Sequence, residues 1–199
     1  SGSQVAVEAS TQVSTLAPKG QAGTWLIDPT DFTISSGSGG QSSSGIGATT
    51  LQTNVAGGNI SLTTDNASGA GNGDLIVNAS VAWSANTLTL SAYRHVTINA
   101  ALNGTGTSAL VLNPKSTGVG SGVINLGANI TTGGAMTFNG DVALGSYNVG
   151  LTSSSGGVTI TGGISLSASL TPQIIQFLDN GSYKISTNNG TSYTSGTVT

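Results

Sequence analysis

The side chains suited to acid–base or metal chemistry are few: seven carboxylates, one imidazole and no thiol. The acids are Glu8, Asp28, Asp31, Asp65, Asp74, Asp141 and Asp179. Glycoside hydrolysis needs two carboxylates facing each other across a cleft. Asp28 and Asp31 are near in sequence, but Pro29 between them reads as a turn that an Asp side chain caps. Asp65 and Asp74 flank a Gly-rich loop whose closure would bring them together, and Asp141 is the next carboxylate along. None of these reads as a committed catalytic pair. His95, the sole histidine, follows Arg94 at the start of a strand. No Ser-His-Asp order is distinguishable among so many serines, so a structural or solvated role is the better reading than a general base.

Residues 69–77 (GAGNGDLIV) carry the Gly turns, the Asp and the following apolar residue of a calcium nonapeptide repeat. That motif works by stacking copies, and this is one imperfect copy. It has no Glu at the twelfth position of an EF-hand loop, and no Gly-Lys-Ser/Thr follows for a phosphate loop. A Gly-rich corner is the simpler reading, with neither metal nor cofactor expected. Trp25, Trp83, Tyr93, Tyr147, Tyr183 and Tyr193 have the chemistry to stack on sugars, but their even spread fits core or corner packing as well. Sequons at Asn59, Asn66, Asn103 and Asn129 are expected by chance in a chain so rich in Asn, Ser and Thr. Four cations (Lys19, Arg94, Lys115 and Lys184) and a net charge of -3 argue against a nucleic-acid partner. No apolar run approaches the ~20 residues of a membrane span. No signal peptide is visible, and Ser1-Gly2-Ser3 reads as a leftover junction, so a piece of a longer protein is expected.

The elements that would position these groups follow from periodicity. In residues 88–92 (LTLSA), Leu88, Leu90 and Ala92 fall on one face and Thr89 and Ser91 on the other, which is a half-buried strand. Residues 96–102 (VTINAAL) follow the same grammar. Residues 136–144 overlay residues 158–166 with a shift of 22, Leu88-Thr89-Leu90 overlays Leu110-Val111-Leu112 with the same shift, and Val77 overlays Ile98 with a shift of 21. A weak repeat of this length predicts a solenoid, in which one repeat buries its apolar face only by stacking on the next. The fold class is therefore all-β, a parallel β-helix (β-solenoid) of about 21–22 residues per rung. Only 6% of residues are charged, against about a quarter in ordinary domains. With 31 glycines, this composition suits tight corners and a neutral polar exterior. Thr in Leu-Thr-Leu, Val-Thr-Ile and Met-Thr-Phe raises an ice-binding array, but the equivalent outward positions vary in type. Outward Asn78, Asn99 and Asn125 suit side-chain ladders or close turns.

In chain order, residues 4–16 alternate well enough for one or two strands, residues 18–23 form a loop, and residues 23–34 give two strands about an Asp-Pro turn. Residues 35–50 read as a Ser/Gly loop projecting from a corner. Leu51 to Val55 and Asn59 to Leu62 read as strands, and residues 65–73 as a second loop. Rungs continue from Asp74 to about Leu170. Ile124, Leu126, Ala128 and Ile130 are expected inward with Asn125 and Asn129 outward. Ile164, Leu166, Ala168 and Leu170 are expected inward, alternating with Ser165, Ser167 and Ser169. Past Pro172 the denser run in residues 173–178 begins either a cap or another module. The organisation is thus 1–34 entry rungs, 35–170 central rungs and 171–199 cap or next module.

Three phrases in order carry a family resemblance: APKGQAGTWLIDPTDFTIS, ATTLQTNVAGGNISLTTD and GDLIVNASVAWSANTLTLSAYRHVTINAAL. They resemble filamentous-haemagglutinin-like exoproteins of two-partner secretion systems, closely over residues 16–112 and in style beyond. The resemblance implies a right-handed parallel β-helix, export from a Gram-negative bacterium through a dedicated outer-membrane partner, and a role in cell adhesion at the surface. No amino-terminal secretion domain is recognisable here, so recognition of the transporter is not carried over. The expected function is a structural and adhesive rod segment without catalytic residues. Residues 35–50, residues 65–73 or a flat sheet face would meet a glycan or protein ligand. The alternatives are a polysaccharide-acting β-helix enzyme, marked by facing carboxylates, and an ice-binding β-solenoid, marked by a regular Thr array.

Overall fold

The computed structural model describes residues 24–27, 30–65, 71–115, 122–145, 149–166, 174–177, 182–186 and 194–197. The chain winds in successive rungs of short strands. The first rung holds β1 (Thr24–Ile27) and β2 (Phe32–Ser35), then departs through β3 (Gly45–Gly47) and the helix α1 (Ala48–Ala56). Three-strand rungs follow: β4 (Asn59–Thr63), β5 (Leu75–Val77) and β6 (Val81–Trp83), then β7 (Thr87–Ser91), β8 (Val96–Ile98) and β9 (Leu102–Gly104). Next come β10 (Ala109–Asn113), β11 (Val123–Leu126) and β12 (Ile130–Thr132), then β13 (Met136–Phe138), β14 (Asp141–Leu144) and β15 (Leu151–Ser153). The last parallel pair is β16 (Val158–Ile160) and β17 (Ile164–Leu166). An antiparallel sheet of β18 (Ile174–Phe177), β19 (Ser182–Ser186) and β20 (Thr194–Thr197) ends the described chain.

Strands of equivalent position stack into three parallel sheets, in the orders β1-β4-β7-β10-β13-β16, β3-β2-β5-β8-β11-β14-β17 and β6-β9-β12-β15. This is the parallel β-helix that the repeat predicts. The expected registers are those observed: Leu88 pairs with Leu110, Val77 with Ile98, and Met136 with Val158. The step is not uniform, however. Ile60 to Leu88 and Val96 to Ile124 span 28 residues, whereas Ile124 to Val142 spans 18. Strand register survives this variation because the extra residues fall between strands, and loop entropy rises only slowly with length.

Inward side chains form continuous columns. Leu62, Leu90, Leu112 and Phe138 lie one above another in the first sheet, as do Ile34, Val77, Ile98 and Leu126 in the second. All eight are fully buried. Each such side chain contributes roughly 1.5–3 kcal/mol of burial, and no single rung could achieve this alone. On the third sheet the column tapers. Trp83 pairs with Gly104, where an added Cβ would collide with Ser108 Oγ and lie 3.0 Å from the Thr131 carbonyl.

The expected strand from Leu51 to Val55 is instead part of α1, and the expected loop over residues 35–50 contains β3 and the start of that helix. Ala48, Leu51 and Val55, three and four residues apart, form the buried helical face. Period two within five residues did not outweigh that longer pattern. The segment folds back on the stack: the Gly47 N–H donates to the Gly39 carbonyl at 2.9 Å and the Thr49 N–H to the Gly37 carbonyl at 3.0 Å. α1 then packs beside β6, at the end of the third sheet, where another strand would otherwise stack.

Ile124, Leu126 and Ile130 are buried, but Ala128 is only half-buried, because the chain bends there between β11 and β12. Ile164 pairs with Val142 yet is 40% exposed. Residues 4–16 and 18–23, together with Ser167, Ala168, Ser169 and Leu170, lie outside the described residues.

Candidate functional site

The chemistry-bearing residues gather at one corner, just ahead of the second sheet. Asp31 precedes β2, Asp74 precedes β5, His95 precedes β8, and Asp141 opens β14. Each turns its side chain toward the next rung and accepts a backbone N–H there. Asp31 Oδ1 accepts from the Asp74 N–H at 2.8 Å and the Asn72 N–H at 3.0 Å. Asp74 Oδ1 accepts from the His95 N–H at 3.2 Å. His95 Nδ1 accepts from the Val123 N–H at 3.1 Å, which places the proton of the neutral ring on Nε2. Asp141 Oδ1 accepts from the Gly163 N–H at 2.8 Å.

Main-chain bonds run beside these contacts, from the Phe32 N–H to the Asp74 carbonyl and from the Leu75 N–H to the His95 carbonyl, each 2.9 Å. A corner breaks the ladder of strand pairing, so its N–H groups need side-chain acceptors. Short acceptors placed just before an inward apolar residue supply them.

Asp74 also holds a cation. Arg94 Nε donates to its Oδ1 at 2.8 Å, and Arg94 Nη2 donates to its Oδ2. The hydrogen bond from Arg94 holds the Asp74 carboxyl below its ordinary range, against the opposing effect of burial and with help from the His95 N–H. The guanidinium is raised in turn, chiefly by the same bond. A carboxylate so fixed in its charged form is a poor proton donor. The neighbouring loop is pinned at its base: Thr64 Oγ1 donates to the Gly73 carbonyl at 2.7 Å and accepts from the Tyr93 N–H at 3.1 Å. Gly73 has φ +76, and a Cβ there would strike the Tyr93 side chain.

The structure therefore brings Asp31, Asp74, Arg94 and His95 to one corner and uses them as clamps between rungs. Asp65 is half-buried where the loop begins. Trp83 is buried in the core, so it offers no face to a sugar, while Tyr93 is half-buried at the corner. Glu8, Asp28, Tyr147 and Asp179 lie outside the described residues, as do the side chains of Trp25, Tyr183 and Tyr193. Among the described residues no three His, Asp or Glu side chains are placed to hold a metal ion, and no helix is long and apolar enough to cross a membrane.

Asparagines form side-chain ladders along other edges. Asn99 Nδ2 donates to Asn78 Oδ1 at 2.9 Å, Asn139 Nδ2 to Asn113 Oδ1 at 2.7 Å, and Asn113 Nδ2 to Ser91 Oγ at 2.9 Å. Asn125 reaches Thr97 Oγ1 at 3.3 Å instead of another Asn. On the first sheet the central outward column reads Ser61, Thr89, Val111, Thr137 and Thr159. Val111 interrupts it, and Thr87 and Ala109 mix hydroxyl with methyl alongside, so the outward Thr residues are not a uniform array.

Sequence reasoning missed the corner clamp and α1. The clamp's signal is an acceptor immediately before an apolar residue at the same point of the repeat: Asp31-Phe32, Asp74-Leu75, His95-Val96 and Asp141-Val142. For the helix, Gly57-Gly58 after Val55 and Ala56 is a stop signal. Its far-off partner was not visible locally. Asn86, in the left-handed region at φ 69, donates Nδ2 to the Val55 carbonyl at 2.8 Å and so caps α1 from another rung. No family model, no curated protein and no solved structure matches this chain.

Proposed function

We propose that this chain is a rod segment of a large secreted bacterial exoprotein of the filamentous-haemagglutinin-like kind, serving adhesion at the cell surface and catalysing no reaction. The observation that supports this reading is the corner clamp. The side chains best suited to chemistry accept backbone N–H groups of the next rung, stiffening the stack at the corner where strand pairing lapses. Each rung advances the stack by about 4.8 Å, so rungs convert chain length into reach. On this reading the full-length protein leaves a Gram-negative cell through its outer-membrane partner, and the rod holds binding surfaces away from the membrane. The exposed segment around Ser43 and Ser44, or the neutral outer face of the first sheet, meets a glycan or protein ligand.

The test is binding of the purified 199-residue chain to immobilised glycans and matrix proteins, with each well assayed for polysaccharide cleavage. Saturable binding without cleavage is the expected result. Cleavage overturns the proposal and returns attention to Asp65, Asp74 and Asp141. Silence in both readouts removes adhesion from this segment and leaves a spacer.

A further inference from the structure

The buried face of α1 consists of Ala48, Thr50, Leu51, Asn54 and Val55, and it packs beside β6. Asn54 is 2% exposed and Trp83 is 5% exposed. Neither Oδ1 nor Nδ2 of Asn54, nor Nε1 of Trp83, has a hydrogen-bond partner among the described residues. Asn54 lies on the buried face of α1, and Trp83 ends β6, the strand that α1 packs beside. Asn86, just beyond Trp83, donates to the carbonyls of Val55 and Ala56, which ties the end of β6 to the helical turn carrying Asn54.

Buried polar atoms without partners are costly and rare in native proteins. A direct bond from Trp83 Nε1 to Asn54 Oδ1 would still leave Asn54 Nδ2 bare. One water molecule between the two side chains would satisfy all three atoms. It donates an O–H to Oδ1, accepts the N–H of Nδ2 that lies on the same side of the amide, and accepts the indole N–H. Three bonds to otherwise unsatisfied groups is the usual complement of a buried water. We propose that α1 and β6 enclose a binding site for a single ordered water, held by Asn54 and Trp83. The site is independent of any adhesive role. It adds a polar contact to a joint where α1 buries Ala48, Leu51 and Val55.

The test is magnetisation transfer from water in the ¹⁵N-labelled full chain, read at the side-chain amide of Asn54 and the indole N–H of Trp83. Trp83→Phe identifies the indole resonance. Both groups should show cross-peaks with the sign of a long-lived water, and Asn54→Leu should abolish the one at Trp83. Absence of a water contact at either group in the native chain overturns the proposal, and so does a Trp83 cross-peak that persists in Asn54→Leu. Should Asn54→Leu fail to fold, Trp83→Phe gives an independent reading: the Asn54 amide keeps its water cross-peak if the site exists and lacks it if the site does not.

Discussion

Replacing Asp74 separates the two tasks that the corner assigns to one carboxylate. Asp74→Asn keeps an oxygen for the His95 N–H but removes the charge that Arg94 grips. Arg94 is 43% exposed, so the pair is partly screened, and its loss costs about 0.5–1 kcal/mol rather than the value of a buried ion pair. Asp74→Ala also leaves the His95 N–H without its side-chain acceptor, adding roughly 1–2 kcal/mol for a half-buried donor. For a chain of this size, each kcal/mol moves Tm by about 2–4 °C. Thermal unfolding at pH 7 should therefore place Asp74→Asn about 1–4 °C below the native protein and Asp74→Ala about 3–12 °C below it.

The pH dependence follows from the depressed folded-state pKa of Asp74. The unfolded carboxyl titrates at its ordinary value, near 3.8. The stability that the folded carboxylate contributes is thus fully present above that value and is lost as pH falls through the lower folded value. The gap between native protein and Asp74→Asn should close as the pH drops from 7 toward 2, and 1 M salt should narrow it at neutral pH. A gap of the same size at both ends of the pH range, or Asp74→Ala indistinguishable from native, would refute the clamp as the element that holds these rungs together.

Gly104→Ala pushes a Cβ into Ser108 Oγ and the Thr131 carbonyl. It should cost about 1–3 kcal/mol by overpacking, and less than that when measured by urea unfolding in a Ser108→Ala background, itself weakened because the Gly133 N–H loses its acceptor. Asn86→Gly keeps the left-handed backbone and removes only the side-chain bond to α1. It should cost about 1 kcal/mol and speed hydrogen exchange in residues 48–56 while leaving the amides of β7, β10 and β13 protected.

The stack was legible because parallel pairing repeats the same residue type at the same place. Leu88 over Leu110 and Met136 over Val158 are a periodicity before they are a structure. What escaped reading is what breaks period. α1 owes its place to the edge of β6 and to a cap from Asn86, neither of which its own nine residues reveal. Asp74 and His95 looked like isolated polar residues because their partners are backbone N–H groups, which leave no mark in a sequence. Even the prospect of pairing Asp65 with Asp74 rested on loop closure alone. It had no way to register that Arg94, 20 residues on, grips the Asp74 carboxylate.

The scarcity of charge follows from the same geometry. In a parallel in-register stack each side chain lies above its own counterpart, about 4.8 Å away, and like charges directly opposite destabilise a sheet. A charge tolerated on one rung becomes a burden on the next unless something answers it. The corner shows the condition met. Asp31 and Asp74 occupy the same position on successive rungs, and Arg94 on the following rung binds Asp74 and feels the charge of Asp31 as well. Elsewhere the columns use residues that can repeat without penalty. Asn113 under Asn139 and Asn78 under Asn99 donate and accept in turn, so stacking identical amides adds a bond where stacking identical charges would add repulsion. A composition of 6% charged residues is thus the one this register selects.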